Sequence, residues 1–157
     1  MGIEVITVRP FEERDIPAVA ALEAAGQQHP WSSRILKDEL AAENRSYVVA
    51  ESDVVVGYGG VMIVGEEAHI TNLLVASERR RQGIGSRILR RLVGNAIALG
   101  ARHLTLEVRG DNEAARRLYH RFGLSPVGIR PGYYQGEDAL IMWAHDIDRP
   151  GYVGRLN

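Results

Sequence analysis

Two hydrophobic periods alternate along the second half of the chain, and the points where one gives way to the other mark its elements. Ile70, Leu73, Leu74 and Val75 form a dense apolar run of strand type. Directly after it, Ile84, Ile88, Leu89, Leu92, Val93, Ala96 and Ile97 recur at helical spacing, with Arg87, Arg90, Arg91 and Asn95 on the other side. That predicts a helix over 84–99 with Gly100 as its stop. Residues 103–109 alternate strictly and predict a strand. Asn112 to Phe122 reads as a helix ended by Gly123, and strands near 124–130 and 138–145 close the pattern. Upstream, Ile3 to Arg9 reads as a first strand. Asp15-Ile16-Pro17 has the form of an N-cap with proline in the first turn, opening a helix that buries Ile16, Val19, Ala20 and Leu22. Ser32 or Ser33 caps a second, short helix carrying Ile35, Leu36 and Leu40. Strands near 46–51, 54–64 and 67–75 follow, separated by polar turns at Ser52-Asp53 and Gly65-Glu66. An antiparallel meander followed by a βαβαβ run predicts one α/β (α+β) domain over 1–145, built on a mixed sheet with helices on both faces. Residues 146–157 lack periodicity and are expected to form a tail.

Composition narrows the function classes. A 157-residue chain that is 45% hydrophobic and 25% charged is large enough for one real core. Its net charge of −1 argues against a dedicated nucleic-acid binder, so no nucleic-acid partner is expected. No apolar run approaches the ~20 residues of a membrane span, and the N-terminus lacks a signal-peptide pattern, which makes the cytoplasm the expected compartment. The absence of cysteine excludes disulfides, thiolate metal sites and a cysteine acyl-enzyme. His29, His69, His103, His120 and His145 are never within four residues of one another, and no metal is expected. No Gly-x-Ser-x-Gly elbow supports serine hydrolysis.

The turn Arg80-Arg81-Gln82-Gly83-Ile84-Gly85 sits between the apolar strand and the amphipathic helix. Its glycines allow close backbone approach, and the helix N-terminus adds donors and partial positive charge, a combination suited to a pyrophosphate. Ser86-Arg87 fails the Lys-Ser/Thr requirement of a P-loop, and Ile88 stands where a dinucleotide fingerprint needs its third glycine. The remaining Gln/Arg-x-x-Gly-x-Gly pattern resembles the acetyl-CoA pyrophosphate loop of the GNAT superfamily of N-acyltransferases. A strand-to-helix connection with solvated arginines is the competing explanation for this short stretch.

In His103–Arg109, Leu104, Leu106 and Val108 face the core, so Glu107 shares the opposite face with Thr105. A solvent-facing strand carboxylate is the ordinary alternative for Glu107. Asn112 and Tyr119 are seven apart, two turns along one helix face. Asn112 also suits an N-cap, and Tyr119 a core position beside the stripe Ala115, Leu118 and Phe122, where its hydroxyl would need a partner.

The stretch Leu106-Glu107-Val108-Arg109-Gly110-Asp111-Asn112, then Leu118-Tyr119 and Phe122-Gly123, resembles the catalytic segment of RimI-type N-terminal alanine acetyltransferases. Arg130 to Met142, with Pro131-Gly132-Tyr133-Tyr134, is similar to that family's closing hairpin, and Pro30-Trp31-Ser32 to its substrate-side loop. The match runs from residue 3 to about 145; Leu124 departs from the usual phenylalanine, and the segment after Asp146 lies outside it. The resemblance implies acetyl-CoA as cosubstrate and a protein N-terminus, of a ribosomal protein in particular, as acceptor. It implies Glu107 as general base and Tyr119 as general acid. Leu73, Leu74 and Val75 would hold the acetyl and pantetheine arm, Arg80, Arg81, Gln82, Gly83, Ile84 and Gly85 the pyrophosphate, and Asn112 and Tyr119 would help place the cofactor. Trp31, Tyr133 and Tyr134 would bind the acceptor, although packing roles compete for all three. Two other functions stand beside this one: a lysine or small-amine acetyltransferase, and a non-catalytic acyl-CoA sensor. A sensor would need the phosphate turn but neither Glu107 nor Tyr119.

Overall fold

Short polar turns fold the middle of the chain back on itself twice, giving β2 (Arg45–Glu51), β3 (Val55–Val64) and β4 (Glu67–Val75). A computed structural model describes residues 4–134 and 137–156, and the side chains of these apart from 133, 134 and 155. The first turn is closed by the Ser52 N–H donating to the Val54 carbonyl at 2.9 Å, and the second places Gly65 at φ 61°. β1 (Thr7–Pro10) adds antiparallel to β2 with Val8 opposite Ala50. Tyr47, Val48, Val49 and Ala50 of β2 are all buried, so both faces of this strand are covered and its sequence shows a continuous apolar run instead of alternation. With β5 (His103–Arg109), β6 (Ser125–Tyr134) and β7 (Glu137–His145) the strand order is β1-β2-β3-β4-β5-β7-β6, a mixed sheet with helices on both faces.

The described chain divides into two units, residues up to Met62 with Thr71–Asn95, and Ile63–Ile70 with the residues from Ala96 on. In the first, α1 (Ile16–Gly26) and α2 (Ser33–Ala41) precede the meander, and α3 (Ile84–Ala98) follows it. Phe11 sits edge-on to Tyr47 and Tyr58, with ring centroids 6.3 and 6.0 Å away, in a cluster that includes Ile16, Val19 and Leu36. Ala20 and Leu22 pack against it only partly buried. The Ser32 hydroxyl caps α2 by accepting from the Ile35 N–H, but Ile35 itself is 42% exposed, since Leu36 is the residue this short helix turns inward. Ile84, Ile88, Leu89, Leu92 and Val93 of α3 are buried, as their spacing predicts. The helix seats closely because β3 carries glycine beneath it: a Cβ on Gly59 would lie 2.8 Å from both Ile88 Cγ2 and Leu92 Cδ1.

Asp15 differs from its expected role. It stands at the N-cap position of α1 but makes no side-chain cap. Instead its buried carboxylate accepts two 2.8 Å hydrogen bonds from the Arg9 guanidinium, which also reaches Glu51 at 3.1 Å, and one from the Glu12 N–H at 2.9 Å. The Arg9 contact holds Asp15 below the usual carboxylate range, against the opposing effect of burial. A depressed folded-state value contributes stability above the unfolded pKa of about 3.9, and that contribution is lost as pH falls through the folded value. The thermal midpoint should therefore drop on acidification below about pH 4. Asp15→Asn should be less stable at neutral pH and show a flatter acid dependence in melts followed by circular dichroism; an unchanged slope would assign the acid sensitivity to other carboxylates.

In the second unit, β5 (His103–Arg109) runs parallel to the first part of β4, with Ala68 opposite Leu104. β7 (Glu137–His145) pairs antiparallel with β5, Glu107 opposite Ile141, and β6 (Ser125–Tyr134) pairs antiparallel with β7. Between β5 and β6, α4 (Glu113–Arg121) is capped by Asn112, whose Oδ1 accepts from the Ala115 N–H at 3.2 Å, and stops before Gly123 at φ 85°. The closing segment is aperiodic yet anchored. Ile147 is fully buried, its N–H donates to the Arg102 carbonyl at 2.9 Å, and in α5 (Pro150–Val153) the Tyr152 hydroxyl donates to the Phe122 carbonyl at 2.6 Å.

Candidate active site

β4 ends at Val75, a single 3-10 turn covers Ser77–Arg79, and the arginine- and glycine-bearing turn then leads into α3. Two residues of that turn are left-handed, Arg81 at φ 63° and Gly83 at φ 78°. A Cβ on Gly83 would meet nothing within 4 Å, so the demand for glycine there comes from the backbone and from whatever approaches it. The first intrahelical bond of α3 runs from the Arg87 N–H to the Gly83 carbonyl at 3.2 Å, which puts the N–H groups of Ile84, Gly85 and Ser86 ahead of the helical ladder. With the positive end of the helix dipole, they are groups that can receive an anion. The arginines divide their work. Arg79 pairs with Glu4 and donates to the Gln82 Oε1, fixing the turn, whereas Arg80, Arg81 and Arg87 are exposed. A cavity of about 310 Å³ opens beside this segment, bounded by Ala18, Leu22 and Gly26 of α1 and by Val55, Val75 and Arg80. The small residues of α1 escaped the sequence reading, although Ala18, Ala21 and Ala25 at helical spacing carry the signal.

Trp31 is half-buried in the loop between α1 and α2. Its backbone N–H donates to the Oε1 of Glu23, a carboxylate on α1 that is 1% exposed. The other oxygen of Glu23 accepts from the Tyr58 hydroxyl at 2.8 Å, and the Asn72 side-chain amide donates to the same hydroxyl at 2.9 Å. Burial, reinforced by Glu23, pushes the Tyr58 hydroxyl far above its ordinary range. Sequence reading found none of these three partners, because no local pattern links α1, β3 and β4.

Within the second unit, the Glu107 side chain is 13% exposed on β5 and its Oε1 lies 3.2 Å from Arg130 Nη2. Glu107 and Gly128 both stand opposite Ile141, so the register brings the strand carrying Arg130 within reach, and only long-range pairing reveals that contact. Thr105, on the same face of β5, is buried and donates to the Met142 carbonyl at 2.9 Å. Tyr119 of α4 is itself 8% exposed and belongs to the buried stripe, with Phe122 buried and Ala115 and Leu118 half-buried. Asn112 is exposed at the N-terminus of that helix. Tyr133 and Tyr134 lie on the β6 backbone, but their side chains fall outside the described residues; the hairpin they precede is braced by the Gly132 N–H donating to Asp138 Oδ1 at 3.0 Å. Among the described residues no three histidine, aspartate or glutamate side chains gather as a metal site, and no helix is long and apolar enough to cross a membrane.

The turn, the small-residue cavity and the strand end suit a long, anionic thioester carrier, and Glu107 and Tyr119 are ionisable side chains held in structured surroundings. The comparisons point the same way. A Bacillus subtilis (strain 168) protein provisionally named a [ribosomal protein bS18]-alanine N-acetyltransferase is 41% identical over 140 residues, covering 87% of this chain and 93% of its own. The Escherichia coli (strain K12) [ribosomal protein bS18]-alanine N-acetyltransferase is 29% identical over 140 residues, covering 87% and 95%. The crystal structure of the ribosomal-protein-S18-alanine N-acetyltransferase from Escherichia coli superimposes with a TM-score of 0.83 at 28% identity, over 90% of this chain and 94% of that one. Ard1 from Thermoplasma volcanium gives a TM-score of 0.83 at 26% identity, over 89% and 97%. Residues 10–124 match the profile of the acetyltransferase (GNAT) family, and with the fold and these relatives in agreement the chain belongs to that family of acyltransferases.

Proposed function

We propose that this acetyltransferase moves the acetyl group of acetyl-CoA to the α-amine of a protein N-terminus, with alanine favoured and a ribosomal protein as acceptor. The observation that carries this reading is the match to the Bacillus subtilis relative, 41% identical over 87% of this chain and 93% of its own length, whose name gives that substrate class. In this reading the turn from Arg80 to Gly85 holds the pyrophosphate on its backbone donors, Leu73 to Val75 hold the pantetheine arm through strand backbone groups, and Asn112 helps place the carrier. Glu107 takes the proton that the amine loses as its nitrogen bonds to the acetyl carbon, and Tyr119 gives a proton to the departing sulfur. Bond making and breaking then balance without an enzyme-bound acyl group, which fits a chain without cysteine. Trp31, Tyr133 and Tyr134 flank the acceptor.

Acid–base chemistry separates the α-amine from the lysine alternative. An α-amino group has a pKa near ~7.8 and lysine near ~10.4, so at neutral pH the α-amine is some hundreds of times more often neutral. That difference amounts to about 3.5 kcal/mol before the protein contributes anything. A single carboxylate suffices for the α-amine, whereas lysine demands more deprotonating power. A peptide that begins with alanine and carries an internal lysine, incubated with the protein and acetyl-CoA and mapped by fragmentation mass spectrometry, should carry acetyl on its α-amine. Acetyl found mainly on the lysine would promote the lysine reading instead.

A further inference from the structure

Asn72 stands on β4 immediately before Leu73–Val75, and its Oδ1 is a buried acceptor with no donor. A buried carbonyl oxygen without a hydrogen bond is costly and calls for an explanation. The groups behind it supply one, because they form a chain with a fixed direction. Both oxygens of Glu23 accept, one from the Trp31 N–H at 2.9 Å and one from the Tyr58 hydroxyl at 2.8 Å, the pattern of an ionised carboxylate. The Tyr58 proton is thereby committed to Glu23, and toward Asn72 the phenol presents only lone pairs. The Asn72 amide must answer with its NH2 group, which donates at 2.9 Å, and this turns Oδ1 the other way. A buried carboxylate thus dictates, through two intermediaries, that the end of Asn72 left over is an acceptor.

We propose that Asn72 Oδ1 accepts an N–H of the incoming amine, making Asn72 a positioning residue for the nucleophile and Tyr58 with Glu23 the lock that keeps its amide the right way round. This rests on the reading that the protein acetylates an amine beside Leu73–Val75. A neutral amine offers N–H donors in addition to its lone pair, so one donor held by Asn72 restricts rotation about the nitrogen without engaging the lone pair that attacks. The same Glu23 fixes the backbone of Trp31, and one buried carboxylate therefore sets both the amide of Asn72 and the loop proposed to flank the acceptor.

The test is steady-state kinetics of the full chain with acetyl-CoA and the alanine-starting peptide, together with calorimetric CoA affinity and thermal melts. Asn72→Leu removes the acceptor at similar volume, and Tyr58→Phe removes the lock. Each should raise the KM for peptide on the order of 10-fold, the effect of one lost hydrogen bond in a desolvated site, while the KM for acetyl-CoA and the CoA affinity stay within about twofold of wild type. Asn72→Gln keeps an amide with both its donor and its acceptor and should recover part of the peptide affinity relative to Asn72→Leu, which a purely structural role for Asn72 would not produce. Folded Asn72→Leu and Tyr58→Phe variants with wild-type peptide KM would overturn the proposal and leave Oδ1 to an internal water. Should Asn72→Leu fail to fold, Tyr58→Phe decides in the same way. A wild-type protein that acetylates no amine would instead overturn the functional reading itself, and this proposal with it.

Discussion

Replacing Glu107 by glutamine is expected to lower turnover by roughly 10²–10⁴-fold at saturating peptide, the usual contribution of the general-base role proposed for it, and Tyr119→Phe to do the same through loss of the proposed general acid. The structure makes both substitutions readable. Glu107 lies on a strand paired along its whole length with β7, so its backbone position does not depend on the carboxylate. Its partner Arg130 is 52% exposed, and water can solvate the guanidinium once the pair is broken. Tyr119 is buried, and phenylalanine keeps its shape. Acetyl-CoA affinity should change far less than turnover in both variants, which separates proton transfer from cofactor placement. Turnover at wild-type rates in both would remove these residues from the chemistry.

The elements were legible where one face of a helix or strand meets the core, and the candidate site could be proposed from sequence only where a local motif marks it. α3 is buried at the positions its period selects, from Ile84 to Val93, and the turn before it was readable because glycines and arginines are contiguous there. Asp15 does stand at the N-cap position with proline in the first turn, as its local sequence indicates, but where its carboxylate goes was not legible, because only the folded sheet brings Arg9 to it with two hydrogen bonds. Arg130 beside Glu107 and the Glu23–Tyr58–Asn72 chain were hidden for the same reason. Tyr58 lies 35 residues from Glu23 and 14 from Asn72, and no periodicity encodes a contact made by sheet register and helix docking. Gly59 was similarly opaque, since a glycine within a strand pattern does not announce that Ile88 and Leu92 will fill the space above it.

Bulky replacements at Gly83 and Gly85 together are expected to abolish measurable CoA binding. Gly83 sits at φ 78°, a conformation that costs an L-residue on the order of 1–2 kcal/mol, so the double variant should lose only modest stability from that position. The space around Gly83 supports this, because a Cβ there touches nothing within 4 Å in the protein itself. Binding suffers far more. The open space is where a pyrophosphate would have to approach the N–H groups ahead of the Arg87-to-Gly83 bond, and a side chain holds the anion off all of them at once. Charge-assisted hydrogen bonds contribute about 1.5–3 kcal/mol each, so losing two weakens affinity by a factor on the order of 100 or more. Arg80 and Arg81 remain in place and exposed, but a flexible surface cation without the backbone cradle recovers little of that. Calorimetric titration of CoA into the folded double variant checks the expectation, with a thermal melt to confirm the fold. Unchanged affinity would place the carrier's phosphates elsewhere on the protein and withdraw the anion-binding role from this turn.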